Sequence, residues 1–219
     1  MARFEIHRAM AALQAEAPHW PETALTAVAR TMGRDPVKIL IGCLLSLRTK
    51  DETTAPAAAR LFALAGTPQA MLQLPLETIE RAIYPVGFYH TKARTILDVC
   101  HTLVERHAGK VPDTMQELLA LRGVGRKTAN LVLALGFLTP AICVDTHVHR
   151  ISNRWGYVRT KSPEKTEFAL RRKLPKEYWL VYNDLLVAFG QNHCKPISPL
   201  CSQCTISALC PKIGVTTHR

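Results

Sequence analysis

The sequence predicts an all-α fold, on three observations. Apolar residues recur with a period near 3.6 almost throughout, as in Val37, Ile39, Leu40, Leu44 and Leu45 and again in Leu118, Leu119 and Leu121. Breakers interrupt that pattern at short intervals: Gly33 with Pro36, Gly66 with Pro68, Pro75, Pro85 with Gly87, Gly109 with Pro112, Gly136 with Pro140, Pro163, Pro175, and Pro196 with Pro199. They cut the chain into about ten short helices. Helix-start chemistry stands where the pattern resumes, with Thr114 and Glu117 as a capping box before Leu118 and Asp145 as an N-cap before Thr146. There is no internal repeat and no low-complexity stretch.

From the N-terminus, Met1 to Pro21 carries Glu5 and Glu16 and lacks both an uninterrupted apolar core and a small-residue cleavage site, so it does not read as a targeting peptide. Apolar runs are broken by Arg, Asp, Gly or Pro well short of the roughly twenty residues a membrane helix needs. The expectation is a soluble, intracellular protein of the cytoplasm. At 219 residues and 47% hydrophobic the chain can bury a core without staples. Lys and Arg number 28 against 17 Asp and Glu, a formal charge of +11. That surplus favours a polyanion, because neutralised phosphates release condensed counterions; nucleic acid comes first and membrane headgroups second.

Tyr84 to Thr91 is interrupted by Pro85 and Gly87 between two helical patterns and reads as a loop presenting Phe88 and Tyr89. After the capped helix from Asp113 to Leu121 comes Arg122-Gly123-Val124-Gly125-Arg126-Lys127-Thr128-Ala129. Two glycines one residue apart permit a tight turn and leave main-chain N–H groups unshielded at the start of the next helix. Such donors bind phosphate through hydrogen bonds and the helix dipole without reading base sequence. Lys127 falls in the first turn of that helix, where the dipole and Arg126 both disfavour a further positive charge and so favour a nucleophilic neutral amine. By itself the segment also fits a plain turn followed by a solvated lysine.

Eighteen residues on, the apolar run Ala141 to Val144 leads into Asp145-Thr146-His147-Val148-His149-Arg150, with Asp145 at the helix start. His147 and His149, two residues apart, point to different sides of a helix and do not read as a zinc pair. Seven cysteines are unevenly placed. Cys43, Cys100 and Cys143 lie among apolar neighbours as core residues, whereas Cys194, Cys201, Cys204 and Cys210 crowd one segment with six, two and five residues between them. In an intracellular chain this crowding points to a metal or cluster instead of disulfides, and four thiolates suit either tetrahedral zinc or [4Fe-4S].

Taken together, the Leu121 to Ala129 segment resembles the helix-hairpin-helix element of DNA-repair proteins, and the Val-Asp-Thr-His stretch and the six-two-five cysteine interval resemble the endonuclease III family. The likeness runs from about Thr31 to Cys210. It implies a helix-hairpin-helix glycosylase fold of two helical domains flanking a cleft. One would span residues 29–139 with the hairpin, the other 1–28 plus 140–219 with the iron–sulfur loop. It also implies Lys127 as the nucleophile at C1′ of the deoxyribose, facing Asp145 as the assisting carboxylate across that cleft. The four cysteines would hold a [4Fe-4S] cluster of structural role, and Arg48, Phe88, Arg122, Gly123, Gly125, Arg126 and Lys195 would contact DNA, with Lys212 near the backbone. Arg122 stands where the family usually has proline, Arg48 where it has glutamine, and Phe88 where it has leucine; the last two keep a capacity to stack or hydrogen-bond in the hole left by a flipped base. Asp51 matches a further family carboxylate or is a plain helix-surface aspartate.

The implied activity is a bifunctional DNA glycosylase and AP lyase on oxidised or ring-saturated pyrimidines in duplex DNA, acting as a nucleoid-associated monomer. The alternatives are a mismatch or uracil glycosylase on the same scaffold, a non-catalytic cluster-bearing DNA-binding module in which Lys127 touches only phosphate, and a small iron–sulfur electron carrier, which would need neither hairpin nor basic surplus.

Overall fold

Proline and a polar cap mark where several helices begin. Pro36, Pro68 and Pro163 each open a helix, and the side chains of Asp35, Thr67 and Ser162 just before them accept main-chain N–H groups of the first turn. The structure, a computed structural model, describes residues 4–23, 26–27, 30 and 33–219, and for Asp51 the backbone only. Among these residues the secondary structure is wholly helical, as the periodicity predicts. No helix there is long and apolar enough to cross a membrane.

The chain divides into two compact units. One is Met1–Glu22 with Ile142–Arg219. In it α1 (Ile6–Glu16) lays Ile6, Met10 and Leu13 on a core shared with Ile151 and Trp155 and with Tyr182, Leu186 and Phe189. Phe4 stacks on Trp155 with ring centroids 5.0 Å apart and closes that core from the N-terminal side. Each fully buried Leu or Phe there contributes roughly 1.5–3 kcal/mol of transfer free energy, so this core holds the segment after residue 141 without help from disulfides.

The other unit is Thr23–Ala141. Its centre is α2 (Pro36–Ser46), against which α3 (Asp51–Leu64), α6 (Tyr89–His107), α8 (Arg126–Leu131) and the turn Val132–Gly136 pack. Every residue from Ile39 to Leu45 is buried. The helix is therefore apolar on all sides and not amphipathic, as a helix enclosed by others must be. The short α4 (Pro68–Leu72) and α5 (Leu76–Ile83) pack on α6. The α7 helix (Met115–Ala120) packs on α8. Leu118 and Leu121 are buried as the pattern suggests, but Leu119 is 38% exposed, because a six-residue helix leaves no second layer to cover it.

Candidate active site

The hairpin is built from its backbone upward. The Thr114 hydroxyl oxygen accepts the Glu117 N–H at 3.3 Å and caps α7. The Thr114 hydroxyl donates to the Glu117 carboxylate at 2.6 Å, so the pair is reciprocal through side chains and not through the Thr114 amide that a capping box would use. Leu121 and Val124 are buried and fasten the turn from inside, with the Val124 N–H donating to the Leu121 carbonyl at 3.1 Å. Between them Gly123 adopts φ +75°, where a Cβ would lie 2.8 Å from Thr95 Cγ2. Gly125, the N-cap of α8, has ordinary φ −98°, and a Cβ built on it meets nothing within 4 Å. One glycine is thus demanded by the fold, and the other keeps the helix N-terminus open to solvent.

Lys127 is the second residue of α8 and is half-buried, like Arg126. Burial pushes the Cys43 thiol up to about 12, opposed in part by the nearby Lys127 charge. Cys43 is thus an inert wall of the lysine's surroundings. After Leu131 the helix continues as a π-helical turn, Val132–Gly136, a feature absent from the sequence pattern. Arg122 is exposed on the turn, but its guanidinium pairs with Asp98 on α6. In this conformation it braces the hairpin against α6, a contact twenty-four residues away that no local pattern reveals.

Arg48 and Phe88, far apart in sequence, come together. Both have left-handed backbones, φ 53° and 59°, and the Arg48 guanidinium carbon lies 5.8 Å from the centroid of the Phe88 ring, which is 63% exposed. The loop carrying Phe88 is shorter than the sequence suggests: Tyr89 is already the first residue of α6, with its ring edge-on to Tyr84 at 5.4 Å. The Asp51 side chain lies outside the described residues.

In the other unit, Asp145 caps α9 (Thr146–Arg154), its Oδ1 accepting the Val148 N–H at 2.8 Å. Farther along α9, Arg150 and Arg154 reach the start of the cysteine segment. Arg150 donates to the Cys194 carbonyl at 2.8 Å, and Arg154 donates to the carbonyls of Lys195 at 2.6 Å and Pro196 at 2.7 Å and to Cys194 Sγ at 3.4 Å. His147 is turned toward Arg150 at 3.1 Å and His149 toward Thr166 at 2.7 Å. The α10 helix (Pro163–Lys173) and α11 (Tyr182–Asn192) complete this side.

No disulfide joins any of the seven cysteines, and Cys43, Cys100 and Cys143 are buried. The other four are partly exposed at the edge of the core. Burial, together with the neighbouring thiols of Cys194, Cys210 and Cys201, raises Cys204 to about 11, and burial raises Cys210 as well. The main-chain N–H of Lys212 donates to Cys210 Sγ at 3.4 Å. Thiols so crowded lose their protons readily only to a cation, so the donor set fits a thiolate-bound group in kind and number. Among the described residues, no three His, Cys, Asp or Glu side chains are drawn together as ligands of a single ion. Lys195 is half-buried at the mouth of this segment.

Residues 41–176 match the HhH-GPD superfamily of base excision DNA repair proteins. Endonuclease III of Thermotoga maritima is 48% identical over 176 residues, covering 80% of this chain and 83% of that protein. A solved non-covalent complex of endonuclease III with DNA superposes with a TM-score of 0.85 at 35% identity, over 97% of this chain and 96% of that one. A trapped covalent intermediate of endonuclease III with DNA gives 0.77 at 37% identity, over 86% and 93%. The chain therefore belongs to the endonuclease III family of the HhH-GPD superfamily, and it is a base-excision-repair DNA glycosylase and AP lyase.

Proposed function

We propose that this enzyme binds duplex DNA as a monomer, removes oxidised or ring-saturated pyrimidines, and cleaves the strand 3′ to the resulting abasic site through a Schiff base on Lys127. The observation that carries the reading is the placement of Lys127: half-buried, in the first turn of a helix with an open N-terminus whose N-cap is Gly125. A phosphate held on the N–H groups of Gly123, Gly125 and Arg126 would put the sugar beside the lysine amine. The neutral amine attacks C1′ while the C1′–N bond breaks and the base leaves with its electron pair. The attacking nitrogen then loses a proton, the C1′–O4′ bond breaks with O4′ taking up a proton, and the opened sugar is held as an imine. Loss of a C2′ proton expels the 3′ phosphate, and water hydrolyses the imine to free Lys127. Asp145 is the carboxylate that accepts the amine proton or faces the developing oxocarbenium charge. Its Oδ1 holds the cap, and its Oδ2 has no protein donor among the described residues.

In this reading Arg48 and Phe88 fill the hole left by the flipped base, and Arg122, Arg126 and Lys195 line the phosphate path. Lys127 belongs to the proposed domain 29–139, and Asp145 to the proposed domain 1–28 with 140–219. Cys194, Cys201, Cys204 and Cys210 would hold a [4Fe-4S] cluster, which when bound supplies a cross-link that orders the loop carrying Lys195 and Lys212. A second reading, a mismatch or uracil glycosylase, is favoured by Arg48 at the wedge position, since an arginine there can donate to an opposite guanine.

Single-turnover excision on duplexes bearing thymine glycol, uracil opposite guanine or 8-oxoguanine tests the substrate class. Thymine glycol should be released fastest. Faster release of uracil opposite guanine would overturn the pyrimidine-damage reading in favour of the mismatch one.

A further inference from the structure

The α2 helix ends at Ser46 and leaves its last carbonyls without intrahelical partners at the negative end of its dipole. The Cys43 and Ser46 carbonyls accept from the Ser46 hydroxyl and the Thr49 N–H, and the Leu45 carbonyl is met by Lys92, which is only 8% exposed and lies in the first turn of α6. Its Nζ donates to the Leu45 carbonyl at 2.7 Å, the Leu47 carbonyl at 2.5 Å and Thr49 Oγ1 at 3.0 Å. An ammonium has three protons, so these neutral acceptors satisfy it fully. Thr49 Oγ1 is the junction: it also accepts the Gly87 N–H at 3.2 Å. Gly87 runs so close that a Cβ there would lie 2.8 Å from the Arg48 carbonyl oxygen. Through one buried ammonium and one hydroxyl, the end of α2, the Arg48 turn and the Phe88 loop are tied together. On either side of the tie stand the two left-handed residues, Arg48 and Phe88, a strained conformation that persists only where the surroundings impose it.

We propose that Lys92 is a positioning residue which, through Thr49, presets Arg48 and Phe88 as a single preformed wedge for the damaged duplex. This rests on the reading of Arg48 and Phe88 as the residues that enter the helix. Among the described residues the acceptors that meet Lys92 are all neutral, and their position at the end of α2 and on the turn that follows it fits a role in holding that turn. The catalytic chemistry does not pass through it. What it sets is the entropy lost when the wedge enters, so its removal weakens recognition of the distorted site more than binding to undamaged DNA.

The test uses a duplex with a tetrahydrofuran abasic analogue beside 2-aminopurine, whose fluorescence rises when its stacking is broken. In the full-length protein Lys92→Met should lower both the fluorescence rise and the affinity for this duplex by about tenfold, the equivalent of one such tie, while affinity for undamaged duplex stays within about twofold. Lys92→Arg, which keeps the donors, should recover most of the signal. Should Lys92→Met fail to fold, Thr49→Val removes the junction oxygen at nearly constant volume and should move the same two readouts in the same direction. Arg48→Ala and Phe88→Ala are measured alongside. If they abolish the signal while folded Lys92→Met and Thr49→Val keep it, the tie is refuted and the wedge stands; if neither alanine variant changes it, the wedge reading falls and the proposal with it.

Discussion

The two hairpin glycines should separate stability from DNA binding. At Gly123 an alanine must hold φ +75°, which costs about 1–2 kcal/mol for a residue with a Cβ, and that Cβ would sit 2.8 Å from Thr95 Cγ2, so α6 must also yield. The sum is about 2–3 kcal/mol, which for a chain of this length lowers the melting temperature by roughly 4–12 °C. At Gly125 the backbone is already at φ −98° and the new methyl enters open space, so Gly125→Ala should cost under about 1 kcal/mol, the difference between glycine and alanine at an N-cap. The same methyl would stand where a phosphate meets the helix N-terminus and should weaken binding to abasic-analogue duplex by about tenfold or more, the equivalent of one charge-assisted hydrogen bond. Urea unfolding followed by far-UV circular dichroism reads the first effect. Trp20, Trp155 and Trp179 all belong to the other unit, so tryptophan fluorescence would report the wrong half. Equal losses of stability in the two variants, or unchanged DNA affinity in Gly125→Ala, would refute this division of labour.

Asp145→Asn keeps an oxygen for the Val148 N–H and should unfold within about 0.5 kcal/mol of wild type, whereas Asp145→Ala should lose about 1 kcal/mol with the cap. Both should slow base excision about a hundredfold or more, and normal excision by either would leave the residue a cap only. Burial lowers Lys92 to about 8. With the unfolded lysine near 10.4, the unfolded state binds the extra proton between those values, and wild type should gain stability relative to Lys92→Met as pH rises through that window, by at most about 1.4 kcal/mol per pH unit. A difference that stays flat or falls there would contradict the burial of its charge.

What could be read from the sequence was what local chemistry dictates. Thr114 and Asp145 cap their helices because a short polar side chain before an apolar-periodic run has few other uses, and the Gly123 turn follows from glycine's access to positive φ. Contacts between distant segments were not legible. Lys92, in His90-Thr91-Lys92-Ala93-Arg94, looks like one more solvated cation, and only the packing of α6 against the end of α2 buries it. The Arg122–Asp98 pair is of the same kind: the guanidinium looked free for phosphate until α6 brought a carboxylate to it. The periodicity of α2 hid its enclosure, since Ile41 and Cys43 off the main stripe are buried as fully as Ile39 and Leu44 on it. The meeting of Arg48 with Phe88 is also tertiary, made by the loop passing Gly87 against the Arg48 backbone.

The central claim, that Lys127 attacks the sugar, is tested most directly by borohydride trapping on an abasic duplex followed by peptide mapping of the adduct. The account predicts one DNA-bound peptide, linked at Lys127, and no adduct in a Lys127→Gln variant that still binds the duplex. An adduct on another amine, or undiminished trapping by Lys127→Gln, would contradict it.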